Sequence, residues 1–511
     1  MEKGKIVENE EGADDAVFRC LRCGAETKLP DTLIFQIAGY CKECERDTIF
    51  KKVGAEPPVE LFFDDKLFVP KKLADFIRED YRFVTFDDTD ELYVYGEGIY
   101  CPGGESLVKG LCEKYLGKEA STWRVNEVMN HIKRTTYINR SKIDAGINLI
   151  CVENGILNLK TKKLMPHTPD VVFLNKIPIV YNPDADCPRV KQFFEEVCYI
   201  EDIQTIGELF GYCIYRDYPV HKAAMFLGEG SNGKSKTIAL LRKFLGQNNV
   251  SSKELGELVN DRFAAIELYG KLANVCAEIT ADALKRTGIF KALTGQDLIT
   301  AARKFKGAFS FVNYAKLIYS ANKLPMTGDK SYAFYRRWIL LSFPNTFEGE
   351  NADPNILEKL TTPEEMSGLL NWALQGLYRL LKNGDFTYGK TVEEVQEQYE
   401  ELSDPVYAYV KEYLEVSPGE AIAKDELYEH YVKWCKERKL PITAKNMLTK
   451  ELNKHLPEMR TGYIGPRGNT KPAYRNIAWK QLEAEIDERG NEGQVYLDVG
   501  LGGSGTGLGG S

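Results

Sequence analysis

Gly228-Glu229-Gly230-Ser231-Asn232-Gly233-Lys234-Ser235 decides how this chain is read. The apolar run Ala223-Ala224-Met225-Phe226-Leu227 before it reads as a buried strand, and Lys236 to Leu245 after it reads as an amphipathic helix. A glycine loop between a strand and a helix lets the backbone curl until its NH groups face a polyphosphate, with the positive end of the helix behind them. The spacing therefore predicts nucleotide contacts at Gly228, Gly230, Ser231, Asn232, Gly233, Lys234, Ser235 and Lys236. In that arrangement Lys234 reaches the β and γ phosphates of ATP and Ser235 is placed on Mg²⁺.

Working outward, 511 residues exceed a single hydrophobic core, so roughly three to five domains are expected. Hydrophobic residues make up 43% and charged residues 28%, as in an ordinary globular protein, and no apolar run has the length of a membrane span. The opening Met1-Glu2-Lys3-Gly4-Lys5 has no signal-type apolar core, so a cytoplasmic location without a membrane partner is expected. A net charge of −8 argues against a chain that coats nucleic acid indiscriminately and confines any such contact to local basic patches.

Residues 1–15 are acidic and aperiodic and are expected to be disordered. Twelve cysteines occur, and four fall in a tight pattern: Cys20 and Cys23, then, after seventeen residues, Cys41 and Cys44. Two such knuckles can bring four thiolates to one tetrahedral Zn²⁺, which predicts a structural zinc ribbon over 16–54, with short strands at Thr32–Ile37 and Thr48–Phe50. After the linker Ala55-Glu56-Pro57-Pro58, residues 60–201 mix hairpin-like strands and helices as an α+β domain. From 202 to 345 strand and helix alternate, implying a largely parallel sheet, and a helical extension follows over 346–402.

Hydrolysis of a triphosphate needs more than a cradle: an acid at a strand end, a polar group beside the γ phosphate and a positive charge for the transition state. The run Leu272 to Ala277 is an apolar strand ending at Glu278, whose carboxylate can polarise water or hold Mg²⁺. Lys316 to Ser320 is another, ending at Asn322, which is either an orienting amide or a turn residue before Leu324-Pro325. Arg336 and Arg337 precede the strand Ile339 to Phe343, as catalytic guanidinium groups or as solvated surface charges. Between these strands, Lys304 and Lys306 flank Phe305 in a hairpin-like stretch, suited either to gripping a nucleic-acid backbone or to forming a solvated basic turn.

Taken in order, these pieces resemble the motifs of superfamily 3 helicases, most closely the phage, plasmid and poxvirus-type primase-helicase group. The resemblance rests on Gly228 to Ser235, Glu278, Phe290 through Lys306, Tyr319 to Pro325 and Arg336-Arg337-Trp338. Arg134 to Ile138 and Val152 to Leu157 resemble the domain that precedes the ATPase in that group, and Glu208-Leu209-Phe210-Gly211-Tyr212 its helical entry. The resemblance implies an AAA+-like P-loop ATPase, a homo-oligomer with a hexameric ring, an arginine (Arg336 or Arg337) reaching the neighbour's ATP, and the Lys304 and Lys306 hairpin lining a channel for single-stranded DNA. This chain departs from many members in having Ala277-Glu278 where they carry two adjacent acids, so Glu278 serves alone or with Asp282. The stretch between ribbon and ATPase is too short for a primase domain as well as the preceding domain, which implies a separate primase or polymerase as partner.

Beyond Ser403-Asp404-Pro405, helix, helix and hairpin suggest a winged helix over 405–480, with Thr443 capping a helix from Ala444 to Leu456 and a hairpin around Gly465 to Gly468. Between 441 and 480 eight basic residues face two acidic ones, and this excess favours duplex-DNA contact, through Lys445, Lys450 and Arg467, over protein docking. Residues 481–511 have the composition of a flexible tail. The sequence thus reads as a multidomain α/β protein, a P-loop ATPase core between an N-terminal zinc ribbon and a C-terminal winged helix, acting as an ATP-driven ring helicase in the replication of a virus, plasmid or mobile element. An ATP-controlled origin-binding switch that unwinds nothing, or a DNA-packaging motor, fits the same motifs.

Overall fold

The apolar runs around the glycine loop lie side by side as one sheet in a computed structural model of the chain. Its described residues are 15–20, 26–30, 36–41, 46–52, 57–144, 146–228, 230–261, 263–277, 279, 284, 286–302, 308–349, 352–438, 440–466 and 469–480. The sheet order is Val250–Ser251, Ala273–Cys276, Lys316–Ala321, Ala223–Leu227, Trp338–Ser342, and every neighbouring pair is parallel. Parallel strands need crossover connections that cover both faces, which is why these strands read as continuous apolar runs and not as alternating ones. Ala223–Leu227, Ala273–Cys276 and Lys316–Ala321 are accordingly buried at every position. The helix after the loop, Lys234–Leu245, buries Ile238, Leu241 and Phe244 against this sheet, and its Arg242 Nη2 donates to Val275 O at 2.7 Å.

The chain divides into two compact units. The first holds residues 1–279, 286–321 and 336–389. Within it, ahead of the ATPase sheet, helices Pro70–Asp80, Gly104–Leu116 and Thr122–Thr135 accompany a sheet ordered Tyr137–Ile138, Phe83–Phe86, Leu92–Gly96, Ile99–Pro102. A smaller antiparallel sheet of Leu149–Val152, Gly155–Asn158 and Leu164–Met165 follows. At the N-terminal end an antiparallel sheet runs Glu26–Pro30, Asp15–Cys20, Arg46–Lys52, Gln36–Cys41. Of the strand expected at Thr32–Ile37, only Gln36 and Ile37 are among the described residues, in the strand Gln36–Cys41, and the one at Thr48–Phe50 is longer, Arg46–Lys52. Residues 1–14, Cys23, Cys44 and 481–511 lie outside the described residues, as do the side chains of Cys20 and Cys41.

A buried carboxylate staples the helical entry to the helical extension. Glu208, fully buried on Ile203–Ile214, accepts from Arg379 Nε at 2.5 Å and Thr387 Oγ1 at 2.6 Å on one oxygen, and from Thr387 N at 2.7 Å on the other. Arg379 lies on Pro363–Asn383, so one side chain fixes a helix, its partner and the loop beyond.

The second unit holds residues 280–285, 322–335 and 390–511. It contains helices Val392–Ser403, Pro405–Tyr413, Lys424–Glu437 and Lys445–His455, and an antiparallel sheet ordered Leu414–Ala423, Lys471–Trp479, Arg460–Ile464. Tyr409, Tyr431, Trp434, Leu452 and Ile477 form its core. Two expectations change here. Thr443 does not cap the following helix: Ala444 takes the cap position with no side-chain bond, while Thr443 Oγ1 accepts from the Tyr431 hydroxyl at 3.1 Å. Leu414–Ala423 is a strand the sequence hid, because Pro418-Gly419 reads as a turn; the ladder is irregular between Val416 and Ala421, which accommodates them. None of the described helices is long and apolar enough to cross a membrane.

Removing the staple tests its weight. Glu208→Ala, which strands Arg379 and the Thr387 NH, is expected to cost about 2–4 kcal/mol, and Glu208→Gln less, since it keeps an acceptor. Urea unfolding of the two variants measures both, and equal losses would show that the charge contributes nothing.

Candidate nucleotide site and nucleic-acid interface

The glycine loop sits at the carboxyl end of the Ala223–Leu227 strand, where the order of the sheet places a crevice between neighbouring strands. Leu227 is in register with Ala321 on one side and Ser342 on the other. Asn322 is thus the residue that follows a strand end beside the loop, and Glu278 lies two residues beyond Cys276, the end of the next strand. Glu278 and Asp282 themselves, like Glu229, lie outside the described residues.

The loop is braced from within. Asn232, buried, donates from Nδ2 to Phe343 O at 3.3 Å, and Phe347 N donates to Ser231 O at 2.7 Å, so the chain leaving the Trp338–Ser342 strand holds the cradle open. Lys234 is buried, and its ammonium donates to Gly228 O and to Asn232 Oδ1, the latter at 3.1 Å, oxygens that lie where the loop curls. Gly228 has φ +147° and Gly233 φ +90°. A Cβ at Gly228 would lie 2.2 Å from Asn232 Nδ2 and 2.7 Å from Phe343 O, while one at Gly230 would meet nothing within 4 Å. The tight turn therefore rests on Gly228 and Gly233, and Gly230 is not sterically required. Ser235 is exposed at the first turn of the helix, and Lys236 is half-buried. A buried ammonium, an exposed hydroxyl and the backbone NH groups of a helix N-terminus are the donor set that a magnesium-bound triphosphate requires.

Arg336 and Arg337 stand at the opposite end of the sheet. They precede Trp338, which pairs with Ala223, the first residue of the strand whose last residue feeds the loop. Arg337 is buried: its Nε donates to Thr294 Oγ1 at 3.0 Å and its Nη2 to Lys291 O at 3.4 Å, both on the helix Gly288–Thr294. Arg336 is half-exposed. Burial first, then the charges of Arg337 and Arg336, against Asp297, holds the His221 imidazole below its ordinary pKa; burial does the same to Lys222, with Asp385 opposing and Arg336 adding to it.

The strands Leu298–Ala302 and Ala308–Val312 form the expected antiparallel hairpin, and Lys304, Phe305 and Lys306 lie outside the described residues at its turn. Its Leu298–Val312 pair is exposed, whereas Ile299, Ala301 and Phe311 are buried.

Three family models match the chain in succession: the D5 N-terminal-like family over 74–199, a family of unknown function (DUF5906) over 226–337, and the Poxvirus D5 protein-like family over 401–487. The two D5 matches flank the phosphate loop. Together they support a primase-helicase of the phage and poxvirus type. Among solved structures, the apo C-terminal region of NrS-1 aligns at 14% identity with a TM-score of 0.42, covering 79% of this chain and 98% of that one. Its A form aligns at 12% identity with a TM-score of 0.41 over the same shares.

The D5 matches suggest a nucleotide-dependent role in replication. Lys445 is held by Asp425 at 2.8 Å and lies over the Tyr428 ring at 5.5 Å; Lys450, on the same helix, is exposed; Arg467 lies outside the described residues. Sequence reading counted Arg460 and Arg475 only toward the charge excess, yet they are register partners on adjacent strands, both exposed. Like charges directly opposite repel, and an anion between them would remove that cost. The signal was legible only once the register was known. Among the described residues no cluster of metal-ligating side chains occurs, and the side chains of all four ribbon cysteines are outside them.

The two glycines separate the roles of space and composition. Gly228→Ala is expected to weaken binding of a fluorescent ATP analogue by about tenfold or more, and Gly230→Ala by less than about threefold, since only the first collides with the brace. Equal losses would refute the steric account.

Proposed function

We propose that this primase-helicase is an ATP-driven, ring-forming DNA helicase in which each ATP is shared between two copies of the chain. One observation carries the reading: the loop and the arginine pair occupy opposite ends of the same five-residue strand, Ala223–Leu227, a separation of about 16 Å along the strand. Arg336 cannot attend its own loop, and its half-exposed guanidinium suits the phosphates held by a neighbour.

Within the site, Lys234 takes the β and γ phosphates and the backbone NH groups from Ser231 to Lys236 surround them. Mg²⁺, held by Ser235, would neutralise phosphate charge. Glu278 polarises a water that attacks the γ phosphorus; the bond to the bridging oxygen breaks, and ADP and phosphate leave. Asn322 orients that water, and Arg336 of the adjacent copy stabilises the charge that develops on the equatorial oxygens. Arg337, tied to Thr294, holds the Arg336 turn against the helix that leads into the hairpin. Each cycle would move the hairpins, with Lys304, Phe305 and Lys306 at their tips, along a single strand.

The order helix, strand, helix, helix, strand, strand over Pro405–Trp479 supports a winged helix, with Lys450, Arg460 and Arg475 as its phosphate contacts alongside Lys445 and Arg467. Cys20 and Cys41 each end a strand, which supports two knuckles and a structural Zn²⁺ completed by Cys23 and Cys44.

Two measurements test this. Lys234→Ala and Arg336→Ala should each reduce ATP turnover by about a thousandfold or more, while an equimolar mixture recovers up to about a quarter of the original rate, because random rings join some intact loops to intact arginines. No recovery, or full turnover by Arg336→Ala alone, would end the shared-site reading; strand displacement from a forked duplex checks that turnover is coupled to unwinding. Elemental analysis of the purified chain should find about one zinc per copy, lost in Cys23→Ser, Cys44→Ser.

A further inference from the structure

Two side chains from the segment ahead of the ATPase sheet reach the foot of the Leu298–Ala302 and Ala308–Val312 hairpin, and neither belongs to the nucleotide site. Arg140, just beyond Tyr137–Ile138, lies between two rings, its guanidinium carbon 4.4 Å from the Phe86 centroid and 4.6 Å from that of Tyr269. Its Nε and Nη2 donate to the two oxygens of Asp88 at 2.5 and 2.7 Å, Nη2 also to Thr89 Oγ1 at 3.1 Å, and Nη1 to the Tyr269 hydroxyl. Tyr269 in turn meets Phe311, on the second strand of the hairpin, edge to face at 5.3 Å. Asn175, buried, makes the second connection. Its Nδ2 donates to Gly270 O at 2.8 Å and Asn249 Oδ1 at 3.0 Å, and its Oδ1 accepts from the Tyr314 hydroxyl at 3.2 Å, two residues beyond the hairpin.

Adjacent residues, Tyr269 and Gly270, are thus gripped from one segment, and through them and Tyr314 so is the strand Ala308–Val312. A planar cation stacked between two rings and forked onto a carboxylate has one geometry, unlike a lysine on a flexible stem. Burial opposes the charge on Asp88, but Arg140 outweighs it and holds the carboxyl below its usual range, so the pair remains charged at neutral pH.

We propose that Arg140 and Asn175 are positioning residues for the nucleic-acid hairpin: the segment ahead of the ATPase is the fixed base against which the hairpin stands when it engages a single strand. This rests on the reading that the hairpin binds DNA. Loosening the base leaves the phosphate loop, its brace and Arg336 untouched, so ATP cleavage without DNA is unchanged while engagement of the strand weakens.

The test is ATP turnover by the full chain against increasing oligothymidine, with melting temperature measured alongside. Arg140→Ala and Asn175→Ala should raise the half-stimulating oligonucleotide concentration about tenfold, with basal turnover and turnover at saturation within about twofold of the parent. Arg140→Lys should fail to rescue, and Tyr269→Phe, which keeps the stacked ring, should stay within about threefold. An unchanged half-stimulating concentration, or basal turnover falling together with the melting temperature, overturns the proposal, the latter by making these ordinary fold residues. Lys304→Ala, Lys306→Ala separates the two levels. If it leaves the oligonucleotide dependence intact, the hairpin reading falls and this proposal with it; if it responds while Arg140→Ala and Asn175→Ala do not, only the proposal falls.

Discussion

A parallel strand has a direction, and in this chain that direction sorts the candidate chemistry. The glycine loop that can cradle phosphate lies at the carboxyl end of its strand, where the N-terminus of the following helix also points. The arginines precede the strand that pairs with the amino end of Ala223–Leu227, away from the loop. Two buried strands on either side of Ala223–Leu227 make the arrangement stiff, so no local adjustment of side chains can close the gap. The proposal of a shared site is therefore a statement about sheet polarity before it is one about assembly.

Stiffness in this sheet is maintained by polar groups as much as by its apolar core. Lys316 opens the strand beside Ala223–Leu227, fully buried, with its ammonium donating to Asp217 O at 2.7 Å, Tyr314 O at 2.9 Å and Tyr215 O, over the rings of Tyr212 and Tyr218. Burial pushes its pKa down to about 7, yet only the protonated form can donate to all three carbonyls at once, so the cage and the desolvation oppose each other. The geometry favours the charged form, because losing the proton would leave a buried carbonyl without its donor. Tyr314 is also the partner of Asn175, so the exit of the hairpin is held from both the core and the preceding segment.

How much of this was legible in the sequence follows from the range of the interactions. The strand Ala223–Leu227 and the helix after it are local patterns of apolar spacing and glycine placement, and their limits were readable within a residue or two. So was the hairpin around Lys304 and Lys306, since its two runs are close in sequence. The brace from Asn232 to Phe343 spans 111 residues, and the Arg140 contact with Tyr269 spans 129; no periodicity carries such a pairing. Arg336 and Arg337 looked equivalent as neighbours, and only Thr294 and Lys291 separate them, by taking one into the interior. Thr443 failed as a cap for a related reason, because a distant tyrosine hydroxyl claimed its oxygen.

The same distinction bears on how chemical work could pass from nucleotide to nucleic acid. Lys291 and Thr294 stand on the short helix that leads, through Gly295 to Asp297, into the first strand of the hairpin, and Arg337 is anchored there by its side chain. Its neighbour Arg336 is half-exposed, and in the proposed ring it would meet the charge that the adjacent copy presents. In that ring a change in the charge would act on a turn of two residues whose other member grips the root of the hairpin, while Arg140 and Asn175 brace its opposite side. A lever needs both a point of application and a fulcrum, and the chain supplies the two from segments nearly two hundred residues apart.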